Sequence, residues 1–177
     1  MKLLQYSLTV PVLVASAHAA QFLSVEQAQR LFFPAADSFA ERKVELTSEQ
    51  LGQVERQARS RMRLKRYRIW EALAQGQRLG WFIVDEVYGK HEFITYAVAL
   101  DPSGAVLGIE ILVYRERYGG EIRNPQWRGQ FVGKRSGDGL ELDKEIRNIS
   151  GATLSCQHIT EGIRRLLALH YVALGRN

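Results

Sequence analysis

The stretch from Glu92 to Glu116 is dense in β-branched and aromatic residues and is broken only at Asp101-Pro102-Ser103-Gly104. Asp at the first position, Pro at the second and Gly at the fourth suit a type I turn, so the two halves are expected to fold back on each other as antiparallel strands. Side chains alternate across a strand. That period places Ile94, Tyr96, Val98 and Leu100 on one face, and Leu107, Ile109, Ile111 and Val113 on one face of the partner strand. This face is expected to be core. The texture extends upstream to Tyr67 through Trp70, Trp81, Phe82, Ile83, Val84 and Val87, punctuated by Gly76, Gly80 and Gly89, which reads as more of the same sheet.

Helices flank the sheet on both sides of the sequence. Ser24, followed by Glu26 and Gln27, opens a helix carrying Ala28, Leu31 and Phe32 at helical spacing, and Pro34 stops it. Thr47 and Gln50 have capping-box spacing, which predicts a second helix running on through the Arg-rich segment Arg56 to Arg68. From about Ser155 to Leu174, Ile159, Ile163, Leu166, Leu167 and His170 form one stripe, and Glu161 stands four residues before Arg165. Between hairpin and last helix, Tyr118 to Lys144 is polar and Gly-rich with few signs of regular structure; loops of that length tend to be functional or disordered. The expected class is α+β: a largely antiparallel sheet with N-terminal helices and a C-terminal amphipathic helix packed on it. With 177 residues and 46% apolar composition there is enough chain for one sizeable core and not two. No internal repeat or low-complexity segment is present.

The N-terminus reads as an export signal. Lys2 precedes an apolar run from Leu8 to Ala17, and Ala17-His18-Ala19 has the small-x-small form of a cleavage site. About 30 Å of hydrocarbon needs a longer helix than this run supplies, and Pro11 interrupts it. We therefore expect residues 1–19 to be a signal, 20–66 an N-terminal helical segment and 67–177 the main domain, located in the periplasm. The lone Cys156 has no internal disulfide partner. Formal charge is +5. An exported basic protein meets little nucleic acid, so the Arg-rich segment reads as a solvated face, with peripheral contact to a membrane surface as the other expectation.

Chemistry concentrates directly before the last helix, at Asn148-Ile149-Ser150-Gly151-Ala152-Thr153-Leu154-Ser155. Small residues and hydroxyls at a helix start favour a phosphate, because first-turn N–H groups lack intrahelical partners and carry partial positive charge. Spacing alone equally allows, and by frequency favours, a plain cap by Ser150, Thr153 or Ser155. Ser150-Gly151-Ala152-Thr153-Leu154-Ser155 nevertheless resembles the flavinylation motif of the FMN-binding domain family, which includes the covalent-flavin subunits of sodium-pumping NADH:quinone reductase and of the related ferredoxin:NAD oxidoreductase. Upstream, Tyr114-Arg115-Glu116 followed by Gly119 resembles that family's Glu-Thr-Pro-Gly segment, with Arg117 and Tyr118 in place of Thr-Pro, and Gln130-Phe131-Val132-Gly133-Lys134 resembles the stretch that follows.

The resemblance implies an exported FMN-bearing electron carrier, or an accessory subunit of a redox complex, rather than a stand-alone enzyme. It implies that Thr153 is esterified to the FMN phosphate by a separate flavin transferase, and that Ser150, Gly151, Ala152, Leu154, Ser155, Glu116 and Gly119 help bind the cofactor. Its partners would be that transferase and a membrane or periplasmic redox protein. Arg147 stands where members carry an aspartate three residues before the serine. Trp127, Phe131, Tyr114 and Tyr118 are candidates to flank the flavin ring, and Lys90 and Arg123 to contact it. His91, His158 and His170 have no metal-ligand spacing with each other or with Cys156. The rival reading is a non-redox exported module that holds another anionic or phosphorylated ligand at the same helix terminus.

Overall fold

The computed structural model describes residues 20–62 and 67–175. In chain order they form β1 (Ala20–Gln21), α1 (Val25–Phe32), β2 (Ser38–Arg42), α2 (Ser48–Ala58), β3 (Arg68–Ala74), β4 (Gln77–Tyr88), β5 (Phe93–Leu100) and β6 (Val106–Tyr114). A 3-10 turn (Gly120–Arg123), the short α3 (Pro125–Gly129), α4 (Thr153–Leu169) and a π-helical turn (His170–Leu174) complete them. The six strands make one antiparallel sheet in the order β1-β6-β5-β4-β3-β2, which is the α+β architecture expected from the sequence. The sheet takes its two edges, β1 and β2, from the segment read as helical. The signal reading falls on residues 1–19, outside the described residues, and so does part of the Arg-rich run, residues 63–66.

Helix α4 lies across one face of the sheet. Ile159, Ile163, Leu166 and Leu167 pack there against Ile83, Val87, Ile94, Tyr96 and Val98. On the other face, Ala28 and Phe33 close over Phe82, Ala97, Ala99 and Leu112. Helix α2 rides on the back of α4 through Val54, Ala58, Ala168 and Val172. Each fully buried Leu or Ile of the α4 stripe contributes about 1.5–3 kcal/mol, whereas a helix cap contributes about 1 kcal/mol. Packing therefore holds α4 in place, and its N-terminus is free to remain uncapped.

Several local expectations need correction. Helix α2 has its Thr47–Gln50 capping box, but it ends at Ala58 and does not run through the Arg-rich segment, because Arg59 turns left-handed with φ 49°. In β6, Val106, Ile109, Ile111 and Tyr114 face α4, while Leu107 is exposed and Val113 packs toward α1. Register shifts at Thr95/Tyr96 and Ala99/Leu100 break the simple alternation, since a bulge adds a residue to one strand and turns the next side chain over. The polar stretch from Tyr118 to Lys144 is not structureless: it holds the 3-10 turn and α3 and sends Ile122, Trp127, Phe131 and Leu140 into the core. Arg165 is buried and donates to Ser60 Oγ (3.1 Å), and Glu161 accepts from Gln157 Nε2 (3.2 Å), so these two do not form the helix-surface pair their spacing suggests.

Candidate functional site

Two turns meet at one end of the sheet, where β4 passes to β5 and β6 runs out. Gly89 N–H donates to Glu92 O (2.7 Å), closing the first turn. Glu116, just past β6, accepts from the backbone N–H groups of His91 and Glu92, the latter at 3.0 Å, and so straps the two turns together. Burial alone would raise the Glu116 carboxyl, but the N–H groups of Glu92, His91 and Lys90 outweigh it and hold the group below its ordinary value of 4.5. A lowered folded value means that the strap stabilises the fold fully above that ordinary value and loses its effect as pH falls through the lowered one. Glu116→Gln is expected to cost no more than about 1 kcal/mol at neutral pH, because the bonds persist without their charge and the group is largely solvated. The difference from the parent should vanish in acid, as melting curves across the pH range would show.

The second wall comes from the bend entering α4. Ala152 N–H donates to Ile149 O (3.0 Å), and Gly151 takes φ 87°, a left-handed conformation natural to glycine. The residue at the helix N-cap is Ala152, and no side chain caps the helix. This settles the choice left open by spacing: Ser150, Thr153 and Ser155 do not cap α4, and the N–H groups of its first turn face their surroundings without a side-chain acceptor. Thr153, the first helical residue, is exposed, and its Oγ1 accepts from Asn148 Nδ2 at 3.3 Å. Ser155 is buried, with Oγ 3.4 Å from Tyr114 Oη. Gly119 fills the gap behind them, where a Cβ would come within 2.8 Å of Tyr114 Oη.

Between these walls lies an open cleft of about 570 Å³, within the size range of cofactor sites, roughly 300–1,000 Å³. Gly151, Ala152, Thr153, Leu154 and Ser155 line one side, and Lys90, His91, Glu116, Arg117 and Tyr118 the other. A second cavity, between Arg59, Arg135 and Leu140, measures about 130 Å³ and is too small for a flavin. The structure thus brings together most of the residues singled out in the sequence, with Gly119 behind the lining and Ser150 exposed at the bend. Of the aromatic candidates, Trp127, Phe131 and Tyr114 are buried, and Trp127 Nε1 donates to Arg147 O (2.8 Å). Only Tyr118, 79% exposed, stands at the cleft. Lys90 lines it, whereas the Arg123 guanidinium stacks on the Phe22 ring at 3.5 Å. His91 and Arg117 were not singled out; the only signal was that Arg117-Tyr118 occupies the place of Thr-Pro.

The family model of the FMN-binding domain matches residues 89–168. This segment is similar to FMN-binding domains. The match starts at the Gly89 turn and ends within α4, so it spans both walls of the cleft, and the cofactor is FMN. Among solved structures, the crystal structure of NqrC from Shewanella oneidensis is similar with a TM-score of 0.47 and 15% identity, covering 74% of this chain and 65% of that one. The chain therefore spans less than two thirds of the NqrC chain. No curated protein matches the sequence.

The residues fit the cofactor. A helix start without a side-chain acceptor suits the phosphate, Lys90 and Arg117 add positive charge, and Leu154 and Tyr118 give the cleft an apolar side. Among the described residues no group of His, Cys, Asp or Glu is placed to hold a metal ion, and no helix is long and apolar enough to cross a membrane. Cys156, although in the first turn of α4, is fully buried, and burial pushes its thiol up to about 11. Thiolate is the reactive form, so a thiol reagent near neutral pH is expected to leave Cys156 unmodified in the folded protein and to label it once denatured, as mass spectrometry would report.

Proposed function

We propose that this is an exported electron-transfer domain whose FMN is tied through its phosphate to Thr153 Oγ1 by a flavin transferase. The observation that carries the reading is the uncapped N-terminus of α4, which opens on a cofactor-sized cleft with the Thr153 hydroxyl at its first position. The backbone N–H groups of the first turn orient the phosphate, and Gly151 lets the chain approach it without a side chain in the way. Lys90 and Arg117 balance phosphate charge across the cleft, and Leu154 and Tyr118 shield one side of the ring from water. When bound, FMN supplies one- or two-electron chemistry, while the protein supplies orientation and electrostatic tuning. A covalent tether suits a compartment where a lost cofactor is not replaced. The exchange partner on this reading is a redox protein of the membrane or periplasm.

The test is intact mass and visible absorbance of the protein exported by a host that has flavin transferase. The expected result is a yellow protein that keeps its flavin after acid denaturation, with the added mass on the peptide containing Thr153 and residues 1–19 removed. Flavin released on denaturation would show a noncovalent site, as the Arg147 departure from the usual aspartate would explain. A colourless protein indifferent to added FMN would end the reading.

A further inference from the structure

The smaller cavity lies where the end of α2, the loop 135–141 and α4 meet, and it shares no lining residue with the cleft. Its volume, about 130 Å³, falls well below the roughly 300–1,000 Å³ of a cofactor site, so only a group of a few atoms fits. Arg59 comes from the residue that ends α2, Arg135 from the loop and Arg164 from α4. Three arginines distant in sequence are thus gathered around one small space, which a run of charges on a solvated face does not require. Two acids, Asp138 and Glu141, line it as well.

The charges here are matched with one exception. Glu141 is shared by Arg59, at 3.3 Å, and Lys144. Arg135 Nη2 stands 3.9 Å from Asp101 Oδ2, and its Nη1 donates to Ser103 Oγ (2.8 Å). Asp138 Oδ2 accepts from Arg135 N–H (2.7 Å), Glu145 Oε2 from Glu141 N–H (3.2 Å) and Glu161 Oε1 from Gln157 Nε2 (3.2 Å). Arg164 is the exception. Half-buried on α4, it has no carboxylate within 4.0 Å among the described residues; Nη1 donates to Leu140 O (3.2 Å), and Nε is buried without an acceptor. A guanidinium does not lose its proton in a protein, so the charge stays and calls for an anion. Further donors stand beside it. Ser136 Oγ accepts from Gln57 Nε2 (2.8 Å), which leaves its own O–H to donate. The N–H groups of Ser136, Gly137, Gly139 and Leu140 meet no acceptor among the described residues, and Gly137 turns the loop at φ 96°. Consecutive N–H groups around such a turn make an anion-binding concavity.

We infer that this cavity binds a free tetrahedral oxyanion, phosphate or sulfate, held by Arg164, by the Ser136 hydroxyl and by N–H groups of the 136–140 loop. The guanidinium fork takes two of the oxygens, and a tetrahedral ion keeps others for the loop. The ion supplies the counter-charge that Arg164 lacks and ties the loop to α4, the helix that begins at Thr153. Neither the flavin nor export enters the inference.

Titration of the nitrogen-15-labelled full chain with inorganic phosphate at constant ionic strength, followed by the magnetic resonance of its backbone and arginine N–H groups, tests it. The signals of 136–140 and of Arg164 Nε are expected to shift saturably with phosphate or sulfate and to stay in place with chloride. Phosphate also suits the start of α4, so 153–155 report separately: added FMN should displace the ion there and leave the cavity signals unchanged. Arg164→Gln should weaken binding at the cavity about tenfold or more, and Ser136→Ala several-fold. The serine variant keeps the test decisive if the arginine variant does not fold. Cavity signals that stay still, move equally in chloride, follow FMN, or respond alike in parent and variants overturn the inference. A protein indifferent to FMN that still binds phosphate in the cavity defeats the flavin reading alone, and one that takes up FMN with no response at 136–140 defeats the oxyanion site alone.

Discussion

Thr153→Ala is expected to abolish covalent flavin completely while the fold stands. Esterification needs the oxygen of this hydroxyl, and no partial substitute exists in an alanine side chain. The structural cost is small because Thr153 is exposed, is not the helix cap, and is held only by the 3.3 Å bond from Asn148. Losing such a bond costs at most about 1 kcal/mol, and alanine returns part of that through its better helix propensity, roughly half a kcal/mol. Two readouts therefore separate: the melting temperature should barely move, and the flavin that stays with the denatured chain should disappear. The variant should still be stabilised by added FMN in proportion to occupancy, since the N–H groups of the first turn remain. Thr153→Ser keeps an oxygen at nearly the same place and is expected to restore attachment. Covalent flavin persisting in the alanine variant would move the attachment to another hydroxyl, and exposed Ser150 would be the first to examine because Ser155 is buried.

What the sequence showed and what it hid divide along a physical line. Thr47 with Gln50 and Ser24 with Gln27 announced their helices because a capping box is complete within four residues. The apolar stripe of α4 was legible for the same reason: its period is local. The end of α2 was not, because the left-handed residue that stops it is Arg59 where glycine is the usual signal. Strands β1 and β2 escaped notice since Ala20–Gln21 is too short to show a period, and Ser38–Arg42 is an edge strand, exposed at both ends, that exists by pairing with β3. Bulges against β6 turned Leu107 and Val113 out of the expected face, and the sequence carries no mark for them. The cleft divides in the same way. Its α4 wall is one contiguous motif. The opposite wall, Lys90, His91, Arg117 and Tyr118, lies at the open end of the β5–β6 hairpin, which the Asp101–Gly104 turn announced, but it is drawn together by the Glu116 strap, which no local pattern records.

Gly162→Ala is expected to be strongly destabilising although it adds only one methyl group. In the middle of an exposed helix this change would stabilise by about 1 kcal/mol, because alanine has the better propensity. Here a Cβ would lie 2.2 Å from Tyr96 Oη and 3.0 Å from Val87 Cγ1. Tyr96 is fully buried and donates to Asp85 Oδ2 at 2.7 Å, so its hydroxyl cannot withdraw without taking a donor from a buried carboxylate. Burial already raises the Asp85 carboxyl, and losing its donor would add to that cost. Overpacking costs about 1–3 kcal/mol and a broken bond to a buried charged group about 1.5–3 kcal/mol, so the sum outweighs the propensity gain. With about 2–4 °C per kcal/mol for a domain of this size, the expected fall in melting temperature is roughly 10 °C. Lifting α4 would also displace the turn that bears Thr153, so flavin loading should fall with stability. Tyr96→Phe removes the colliding oxygen, and the double variant should be less destabilised than the two single changes added together. A Gly162→Ala protein that melts within about 2 °C of the parent would show that α4 and β5 are less closely seated than this contact requires.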